Sequence, residues 1–235
     1  MLTRLGGASR GAFEALNLGG SVEDDPRAVA ANHRRVFHSL GIEPDRVVSP
    51  HQVHGSAVAR VDGSDGGEVI PETDALITDE PGLALFLRFA DCVPVLFYDA
   101  EHRAVGLAHA GWRGTAAGVV PACVRAMTSA FGTQPQNLWA GIGPAIGPDH
   151  YEVGIEVVEA VRATLPAPAG IAERRDGRWY LDLPGAVAAQ LAGLDVGGVA
   201  PSGICTACRT DEWYSHRAED GKTGRFGVIV WIAEA

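Results

Sequence analysis

Residues 83–110 read LALFLRFADCVPVLFYDAEHRAVGLAHA and contain three short apolar runs separated by turn-like residues. Runs of this length that are rich in Val, Leu and Phe are typical of buried β-strands. We therefore predict strands over Leu83–Phe89, Val93–Tyr98 and Ala104–Ala108. No helix-length segment separates them, so this part of the chain favours an α+β fold over a doubly wound α/β fold.

The same kinds of pattern continue on both sides of this stretch. Further strands are predicted over Arg46–Val48, Ala57–Val61, Ala75–Thr78, Leu138–Ile142 and Phe226–Ile232. Helices are predicted over Pro26–Leu40, Thr115–Ala130 with a kink or restart at Pro121, Ile155–Ala163 and Pro184–Leu194. In the first helix Asp25 is a typical N-cap, Pro26 suits the first helical position and Gly41 suits the stop.

No break in composition, internal repeat or low-complexity tract divides the chain. We expect residues 1–235 to form a single domain, which is long enough to bury a substantial core. The least ordered stretch is expected near Pro166–Gly177, where Pro, Ala, Gly and charged residues mix without a period.

The composition is that of a globular protein, with 46% apolar and 20% charged residues. A net charge of −10 opposes binding to nucleic acid or to an anionic membrane, so we expect neither partner. The N-terminal residues lack the apolar core of a signal peptide and no later run could span a bilayer, which predicts a cytoplasmic protein. In a reducing compartment, its four cysteines are expected to be ligands, nucleophiles or core residues rather than disulfides.

Three residues beside apolar runs carry the chemistry: His54 in HQVHG, Cys92 in ADCVPV and His109 in GLAHAGWRG. Two imidazoles and one thiolate are the ligand set of a catalytic zinc ion that keeps a fourth position open. Their separations of 38 and 17 residues are unlike those of a zinc finger but are compatible with neighbouring strand ends. Taken singly, His54 is typical of a loop or core histidine and Cys92 of an inert core residue.

The segment AGWRGT after His109 predicts an anion site. A strand, a glycine-bearing turn and a helix N-terminus present backbone N–H groups, and Arg113 adds a bidentate clamp for phosphate or carboxylate. The simpler alternative is a tight turn with an exposed arginine. Asp74, which precedes ALIT, either caps a turn or orients a ligand histidine, and the first role is the commoner.

Other chemistries can use the same residues. In a metal-free cysteine hydrolase, Cys92 would be the nucleophile and His109 the base, with Asp91 or His54 orienting that base. In a non-enzymatic zinc module, a fourth protein ligand would close the site. His51 is the nearest candidate for that ligand, but on a strand it would face away from His54.

Multicopper phenol oxidation is disfavoured because its copper sites need many histidine ligands. The chain has eight histidines, of which His33 and His38 fall on the first predicted helix and His102 in a turn. Copper has a higher intrinsic affinity than zinc, so Cu²⁺ is expected as an adventitious occupant of the zinc ligands.

Two further motifs are interpreted as structural. Cys205 and Cys208 form CTAC, but a second CxxC or a partnered histidine pair is missing, so we expect a structural turn. GIGPAIG over residues 141–147 is not a dinucleotide-binding loop, because Pro144 and the following Pro148 interrupt the helix start, and it is interpreted as a rigid turn beside the pocket. Tyr151 and Glu152 follow it and could contact a substrate, but a core tyrosine and a surface glutamate are the default assignments.

Six ordered motifs carry a family resemblance. They are HQVHG, TDALIT, ADCVPVLFYD, HAGWRGT, GIGPAIGPDHYEV and CTACRTDEWYSHRAEDGKTGRFGVIVWI. The chain resembles the YfiH-like family from about Asn17 to Trp231. Members of that family are called laccase-domain proteins, polyphenol oxidases, purine nucleoside phosphorylases or peptidoglycan editing factors.

The resemblance implies a zinc enzyme, with His54, Cys92 and His109 as the metal ligands. It also implies mixed β-sheets layered with helices in an α/β/β/α-like sandwich. The implied activity is phosphorolysis of adenosine, inosine and methylthioadenosine, with adenosine deamination beside it. The alternatives are a cysteine-dependent hydrolase or amidase that edits peptidoglycan precursors, and a copper-dependent polyphenol oxidase.

We expect nucleoside and phosphate as the small-molecule partners of a monomer or homodimer. Candidates for phosphate binding are Arg113, Ser215, Arg217 and Arg225, because charge-assisted donors can offset the negative field of the protein locally. Two solvated charges in a loop are the alternative for Arg217 and Arg225. Family members commonly have a second arginine where this chain has Ala218, which weakens the assignment to this loop.

Overall fold

A computed structural model describes residues 1–166 and 170–234. The helices are α1 (Pro26–Leu40), α2 (Trp112–Ala116), α3 (Val119–Phe131), α4 (Ile155–Arg162) and α5 (Leu183–Ala192). The strands are β1 (Val47–Pro50), β2 (Val58–Arg60), β3 (Val69–Ile70), β4 (Ala75–Thr78), β5 (Ala84–Phe89), β6 (Val93–Asp99), β7 (Ala104–Ala110), β8 (Leu138–Ile142), β9 (Glu152–Val153), β10 (Ala172–Arg175), β11 (Arg178–Leu181), β12 (Gly198–Pro201) and β13 (Phe226–Val230).

The strands form three sheets. A six-stranded mixed sheet has the order β12-β8-β6-β7-β4-β2, in which β12 is parallel to β8, β2 is parallel to β4 and the other pairs are antiparallel. A four-stranded sheet has the order β13-β5-β1-β3, with only the β13–β5 pair antiparallel. Strands β10, β11 and β9 form a small antiparallel sheet.

The two larger sheets pack face to face between layers of helix. Strand β7 shows why: Ala104 and Ala108 face the core that contains α3 and α5, whereas Val105 and Leu107 face the four-stranded sheet. A strand that is buried on both faces is apolar at successive positions. Helix α1 covers the far face of the four-stranded sheet through residues such as Phe37. The predicted α+β fold with α/β/β/α layering is confirmed.

The first helix has the predicted bounds. The Asp25 side chain accepts a hydrogen bond of 2.8 Å from the Arg27 amide, and Gly41 ends the helix in the left-handed region at φ 66°. The helix predicted over Thr115–Ala130 with a kink or restart at Pro121 is two helices, α2 and α3. The break falls at Gly118, with φ 82°, because Pro121 lies in the first turn of α3, where its missing N–H costs nothing.

The stretch expected to be least ordered is partly a strand. Residues 172–175 form β10 and pair with β11 in a hairpin, and positions 167–169 lie outside the described residues. These strands were missed because β10 reads AERR and has no apolar alternation. Within residues 1–166 and 170–234, no helix combines the length and the apolar character needed to cross a lipid bilayer.

Candidate metal centre and anion site

Two of the predicted ligands lie on neighbouring strands. Strands β6 and β7 are antiparallel with Val93 opposite Ala110 and Pro94 opposite His109, so Cys92, just before β6, lies beside the end of β7. Cys92 is half-buried and His109 is buried. Both face the four-stranded sheet, where the centroid of the His109 ring is 5.4 Å from that of Phe89.

The third ligand is positioned by Asp74. The Asp74 carboxylate accepts hydrogen bonds from the backbone N–H groups of Val53, His54 and Gly55 at 3.1, 3.0 and 2.7 Å. These contacts hold His54 in the left-handed region at φ 59°, which is uncommon for a residue with a side chain. Because β4 pairs with β7, Asp74 also lies beside His109 and accepts a 2.8 Å bond from its Nδ1. Asp74 therefore both orders a turn and orients a histidine.

The three side chains meet. One ligand atom from each of His54, Cys92 and His109 lies within 4.8 Å of the others, and the two imidazole centroids are 4.7 Å apart. Gly111 provides the space for this approach, since a Cβ there would lie 3.0 Å from both Cys92 Sγ and His54 Nδ1. The structure therefore brings the three predicted side chains close enough together to hold one ion.

The electrostatics of the group favour a thiolate. Burial acts to raise the pKa of Cys92, but the charge of His109 and hydrogen bonds from His109 and His54 outweigh it and lower that pKa. Burial acts to lower the pKa of His109, but the charge of Cys92 and the hydrogen bond to Asp74 outweigh it and raise that pKa. Without a cation, the site therefore favours a thiolate beside an imidazolium, and a thiolate is the ligand form of cysteine.

Arg113 and Arg225, two of the arginines predicted to bind phosphate, have different surroundings. Arg113 lies exposed in α2 with its guanidinium 4.3 Å from the centroid of the Trp112 ring. Arg225 is half-buried, and its Nη1 donates to the carbonyls of Thr223 and Gly224 at 3.0 and 2.8 Å. Burial lowers the pKa of Arg225, while the charges of Cys92 and Asp91 act to raise it. Arg225 is therefore within electrostatic range of the ligand cysteine.

Arg217 and Ser215 have structural contacts. Arg217 Nη1 donates to the Glu152 carbonyl at 2.7 Å, and its guanidinium lies 5.3 Å from the centroid of the Tyr151 ring. Ser215 is buried, and its Oγ accepts a 3.1 Å bond from the Ala218 amide. The structure thus places the Ser215 hydroxyl in a turn, and Ala218 contributes only its backbone there.

Asp91 links several segments next to the centre. It has a φ of 79°, and its carboxylate accepts from Thr206 Oγ1 at 2.6 Å and from the Arg217 amide at 2.7 Å. Asp74, rather than Asp91, is the carboxylate that contacts His109. Burial raises the pKa of Tyr151, and the charges of Cys92, Arg217, Asp91 and Arg113 also act on it, so these four side chains lie within electrostatic range of the Tyr151 hydroxyl.

The CTAC motif lies against a histidine that the sequence did not connect to it. His150 Nε2 is 3.2 Å from Cys208 Sγ, and one ligand atom from each of His150, Cys205 and Cys208 lies within 4.8 Å of the others. Spacing along the chain could not reveal this contact, because His150 follows β8 and the cysteines follow β12. His51 belongs to neither group in the described part of the chain.

The chain is similar to known proteins over nearly its whole length. The family model described as multi-copper polyphenol oxidoreductase laccase matches residues 1–233. The chain belongs to this laccase family. Within it, a purine nucleoside phosphorylase of Streptomyces coelicolor is 45% identical over 97% of this chain and 93% of the relative. The purine nucleoside phosphorylase YlmD of Geobacillus stearothermophilus is 40% identical over 98% of this chain and 88% of the relative.

Solved structures of similar proteins agree with the fold. The crystal structure of Geobacillus stearothermophilus YlmD has a TM-score of 0.95 at 38% identity and covers 99% of this chain and 90% of its own. A Bacillus licheniformis protein titled YfiH has a TM-score of 0.94 at 34% identity and covers 98% of this chain and 90% of its own. The resemblance to the YfiH-like family is confirmed, and the family and its named relatives indicate an enzyme.

Proposed function

We propose that this protein is a zinc-dependent purine nucleoside phosphorylase that acts on adenosine, inosine and methylthioadenosine and also deaminates adenosine. The observation that carries the proposal is the meeting of His54, Cys92 and His109, with Arg225 within electrostatic range of Cys92 and Arg113 exposed in α2. The names of the relatives support the reaction class, since those at 45% and 40% identity are purine nucleoside phosphorylases.

The donor set fits zinc. Zinc takes imidazole nitrogen and thiolate ligands, and a catalytic site has three protein ligands with one open position. The bond from His109 Nδ1 to Asp74, 2.8 Å long, leaves Nε2 as the metal-binding nitrogen. When bound, zinc would supply Lewis-acid chemistry at an oxygen or nitrogen of the substrate. Copper fits the same ligands by affinity and is proposed only as an adventitious occupant.

Phosphorolysis assigns distinct roles to the surrounding residues. A phosphate oxygen attacks the sugar C1′ while the bond from C1′ to the purine nitrogen breaks, and the purine leaves with the bonding electrons and takes up a proton. Arg113, exposed on Trp112, would hold the phosphate as a bidentate clamp. Arg225 would add positive charge from the buried side, and Ser215 supports the turn that leads to it. The Tyr151 hydroxyl, protonated at neutral pH, would donate a hydrogen bond to the purine.

All of these groups come from one chain, so the proposed active unit is a monomer or a homodimer with nucleoside and phosphate as its partners. Arg217 would act by holding Tyr151, because it lies against that ring and donates to the Glu152 carbonyl at 2.7 Å. Deamination would use the same pocket without phosphate, since it needs water at the purine ring instead of phosphate at the sugar.

The test is an incubation of the purified protein with adenosine, once with phosphate and once without. Adenine and ribose phosphate are expected with phosphate, and inosine is expected without it. Chelation should remove both activities and added Zn²⁺ should restore them. Absence of all three products from zinc-loaded protein would contradict the proposal.

The Arg113 role has its own test with a matched control. Loss of a charge-assisted hydrogen bond costs about 1.5–3 kcal/mol, so Arg113→Met should raise the KM for phosphate by about 10- to 100-fold. The KM for adenosine should change little. Arg125→Met removes another exposed arginine, on α3, and should leave both constants unchanged.

A second candidate is a cysteine-dependent hydrolase or amidase that edits peptidoglycan precursors. The observation in its favour is the Cys92–His109–Asp74 chain of contacts, which has the nucleophile, base and orienting carboxylate of a cysteine hydrolase. Metal-free protein that forms an acyl adduct on Cys92 would support it. Stoichiometric zinc together with loss of activity on chelation would exclude it.

The name of the family also suggests polyphenol oxidation as a function. Among the described residues, the His, Cys, Asp and Glu side chains form two three-residue groups of ligand geometry. A multicopper oxidase needs more histidine ligands than either group contains. We therefore propose that any phenol oxidation is due to copper bound at the zinc ligands, and it should disappear when zinc replaces the copper.

A further inference from the structure

A second group of metal-ligating side chains lies outside the centre described above. It consists of His150, Cys205 and Cys208, and we refer to it as the CTAC cluster. His150 Nε2 and Cys208 Sγ are 3.2 Å apart, and one ligand atom of each of the three lies within 4.8 Å of the others. The cluster has one more sulfur and one fewer imidazole than the first centre.

The backbone brings the cluster together without help from its side chains. Ala145 and Cys205 form a parallel bridge, in which the Ala145 amide donates to the Ile204 carbonyl at 3.2 Å and the Thr206 amide donates to the Ala145 carbonyl at 3.0 Å. The loop after β8 and the turn after β12 are therefore pinned to each other. The ligand positions are set before any ion binds, which reduces the ordering cost of binding.

A backbone donor already serves one of the sulfurs. The Gly147 amide donates to Cys205 Sγ at 3.2 Å, and a Cβ on Gly147 would lie 3.2 Å from both Cys205 Cβ and Sγ. Hydrogen bonds from backbone amides to ligand atoms are typical of the surroundings of metal sites. Gly147 thus permits the close approach of the loop and supplies a donor to the sulfur.

We propose that His150 Nε2, Cys205 Sγ and Cys208 Sγ bind a second zinc ion. Zinc accepts this mixed set, and at Zn–S distances near 2.3 Å and Zn–N distances near 2.0 Å its tetrahedral ligands lie about 3.5–3.8 Å apart. The observed spacing brackets that value. Each thiol gives up its proton to solvent as its sulfur binds the ion.

The site is open to an ion from outside. His150 and Cys208 are exposed, Cys205 is half-buried, and all three line a surface cavity of about 280 Å³. The fourth coordination position therefore faces solvent. A soft thiolate pair selects zinc or Cu(I) over magnesium or calcium, which prefer oxygen ligands.

The position of the CTAC cluster indicates what the ion would do. Thr206, inside the CTAC turn, donates to Asp91 at 2.6 Å, and the Ile146 amide of the facing loop donates to the Asp91 carbonyl at 3.0 Å. Both segments of the cluster thus converge on the residue before Cys92. Zinc at the cluster would fix the wall that carries Tyr151 and Arg217, as a positioning element rather than a catalytic one.

The main rival is a Cys205–Cys208 disulfide, since CxxC is also a redox spacing. The two interpretations differ in two measurable ways. A disulfide leaves the sulfurs unable to bind zinc and makes the intact chain about 2 Da lighter than the reduced form, because disulfide formation removes two hydrogens. A disulfide would also leave His150 without a ligand role.

The experiment counts zinc per full-length chain after dialysis of the reduced protein against buffered Zn²⁺. Wild type should hold two ions, Cys205→Ser/Cys208→Ser one and Cys92→Ser one. Cys123→Ala removes a fourth, fully buried cysteine and should leave both ions in place. If the double variant does not fold, His150→Gln serves instead, because the exposed side chain is changed without loss of a sulfur, and it should weaken the binding of one ion at least tenfold.

Cobalt gives an independent readout without any activity assay. Thiolate-to-cobalt absorption should fall by about two thirds in the double variant and by about one third in Cys92→Ser, since two and one of the three ligand sulfurs are lost. The proposal is overturned if wild type holds one ion that Cys92→Ser loses and the double variant keeps. It is also overturned if the purified chain carries a Cys205–Cys208 disulfide that zinc and reductant do not convert to a metal site.

The two zinc proposals fail separately. One ion lost from the double variant but kept in Cys92→Ser would support the CTAC cluster and contradict zinc at the first centre. One ion lost from Cys92→Ser but kept in the double variant would do the reverse.

Discussion

Asp74 Oδ1 accepts a 2.8 Å hydrogen bond from Nδ1 of His109, and the same carboxylate also takes three backbone N–H groups of the loop that carries His54. Burial acts to raise the pKa of Asp74, but the bond from His109 and those from Gly55 and Val53 outweigh it and lower that pKa. One buried carboxylate therefore fixes the orientation of two ligands that are far apart in the chain.

We expect Asp74→Asn to weaken zinc binding at the first centre by about 10- to 100-fold, the usual cost of losing a partner of a ligand histidine. The four hydrogen-bond partners of the Asp74 carboxylate are all donors, and an amide offers them one acceptor oxygen where the carboxylate offers two. Zinc affinity would be measured by competition with a chromophoric chelator.

Asp79→Asn is the control for this change, because its carboxylate pairs with Arg60 at the surface, 3.2 Å away. The control should keep wild-type affinity. An Asp74→Asn protein that folds and binds zinc as tightly as the control would show that the first centre does not depend on this carboxylate.

Gly111→Ala should also disrupt the first centre. The backbone of Gly111 has a φ of −72°, which alanine adopts freely, so the effect would come from the new Cβ, 3.0 Å from both Cys92 Sγ and His54 Nδ1. Overpacking of this kind costs about 1–3 kcal/mol, which corresponds to about 5- to 150-fold in zinc affinity.

Calorimetric zinc titration would test this expectation, with Gly20→Ala as the matched control because a Cβ there meets no atom within 4 Å. Equal affinity of the two variants would mean that the ligands do not need to approach as closely as they do around Gly111.

Several parts of the fold were predictable because the signals are local. Asp25, Pro26 and Gly41 mark the ends of α1 by capping chemistry, and the prediction matches both bounds. The strands around Cys92 and His109 were predictable because a strand buried on both faces is apolar throughout. That Cys92 and His109 would lie close together was predicted because both are typical zinc ligands, and the family resemblance supported that prediction.

Other parts depend on contacts that no local pattern contains. Strands β9, β10 and β11 are short and partly charged, so they depend on pairing with one another for their structure. His150 lies beside the CTAC turn only because the loop at Ala145 pairs with Cys205. The dual role of Asp74 follows from the register of β4 against β7, which the sequence does not specify by itself.

Arg225 is expected to contribute to phosphate affinity. It is a half-buried cation within electrostatic range of Cys92 and Asp91, and its guanidinium donates from Nη1 to the carbonyls of Thr223 and Gly224. Arg225→Gln should raise the KM for phosphate by at least tenfold, because a charge-assisted bond of about 1.5–3 kcal/mol is lost. The KM for adenosine should stay within about twofold, since the purine is not expected to contact this charge.

Arg46→Gln is the matched control, because Arg46 is also half-buried and donates to the Pro81 carbonyl at 2.8 Å. Steady-state kinetics with phosphate varied at saturating adenosine would separate the two variants. A parallel rise in both KM values for Arg225→Gln would indicate general damage to the pocket rather than loss of an anion ligand.

Asp99 is expected to stabilise the fold in a pH-dependent way. Its buried carboxylate accepts the amides of Glu101 and His102 at 2.9 and 3.1 Å and His102 Nδ1 at 2.8 Å. Burial acts to raise the pKa of Asp99, but the hydrogen bonds outweigh it and lower that pKa. A carboxyl whose pKa is lowered in the folded state binds fewer protons in the folded than in the unfolded chain. Its contribution to the free energy of unfolding is therefore complete above the unfolded pKa of about 3.9. That contribution is lost as the pH falls through the folded-state pKa.

Asp99→Asn should therefore lower the free energy of unfolding by about 2 kcal/mol near neutral pH, and the difference from wild type should shrink below about pH 4. Urea unfolding at a series of pH values would measure both. Many carboxyls titrate in acid, so the diagnostic quantity is the difference in free energy of unfolding between wild type and Asp99→Asn. The control is Asp79→Asn, at the exposed pair with Arg60, which should differ little from wild type at any pH. A difference for Asp99→Asn that stays constant from neutral to acid pH would mean that the carboxylate charge is not what holds this turn.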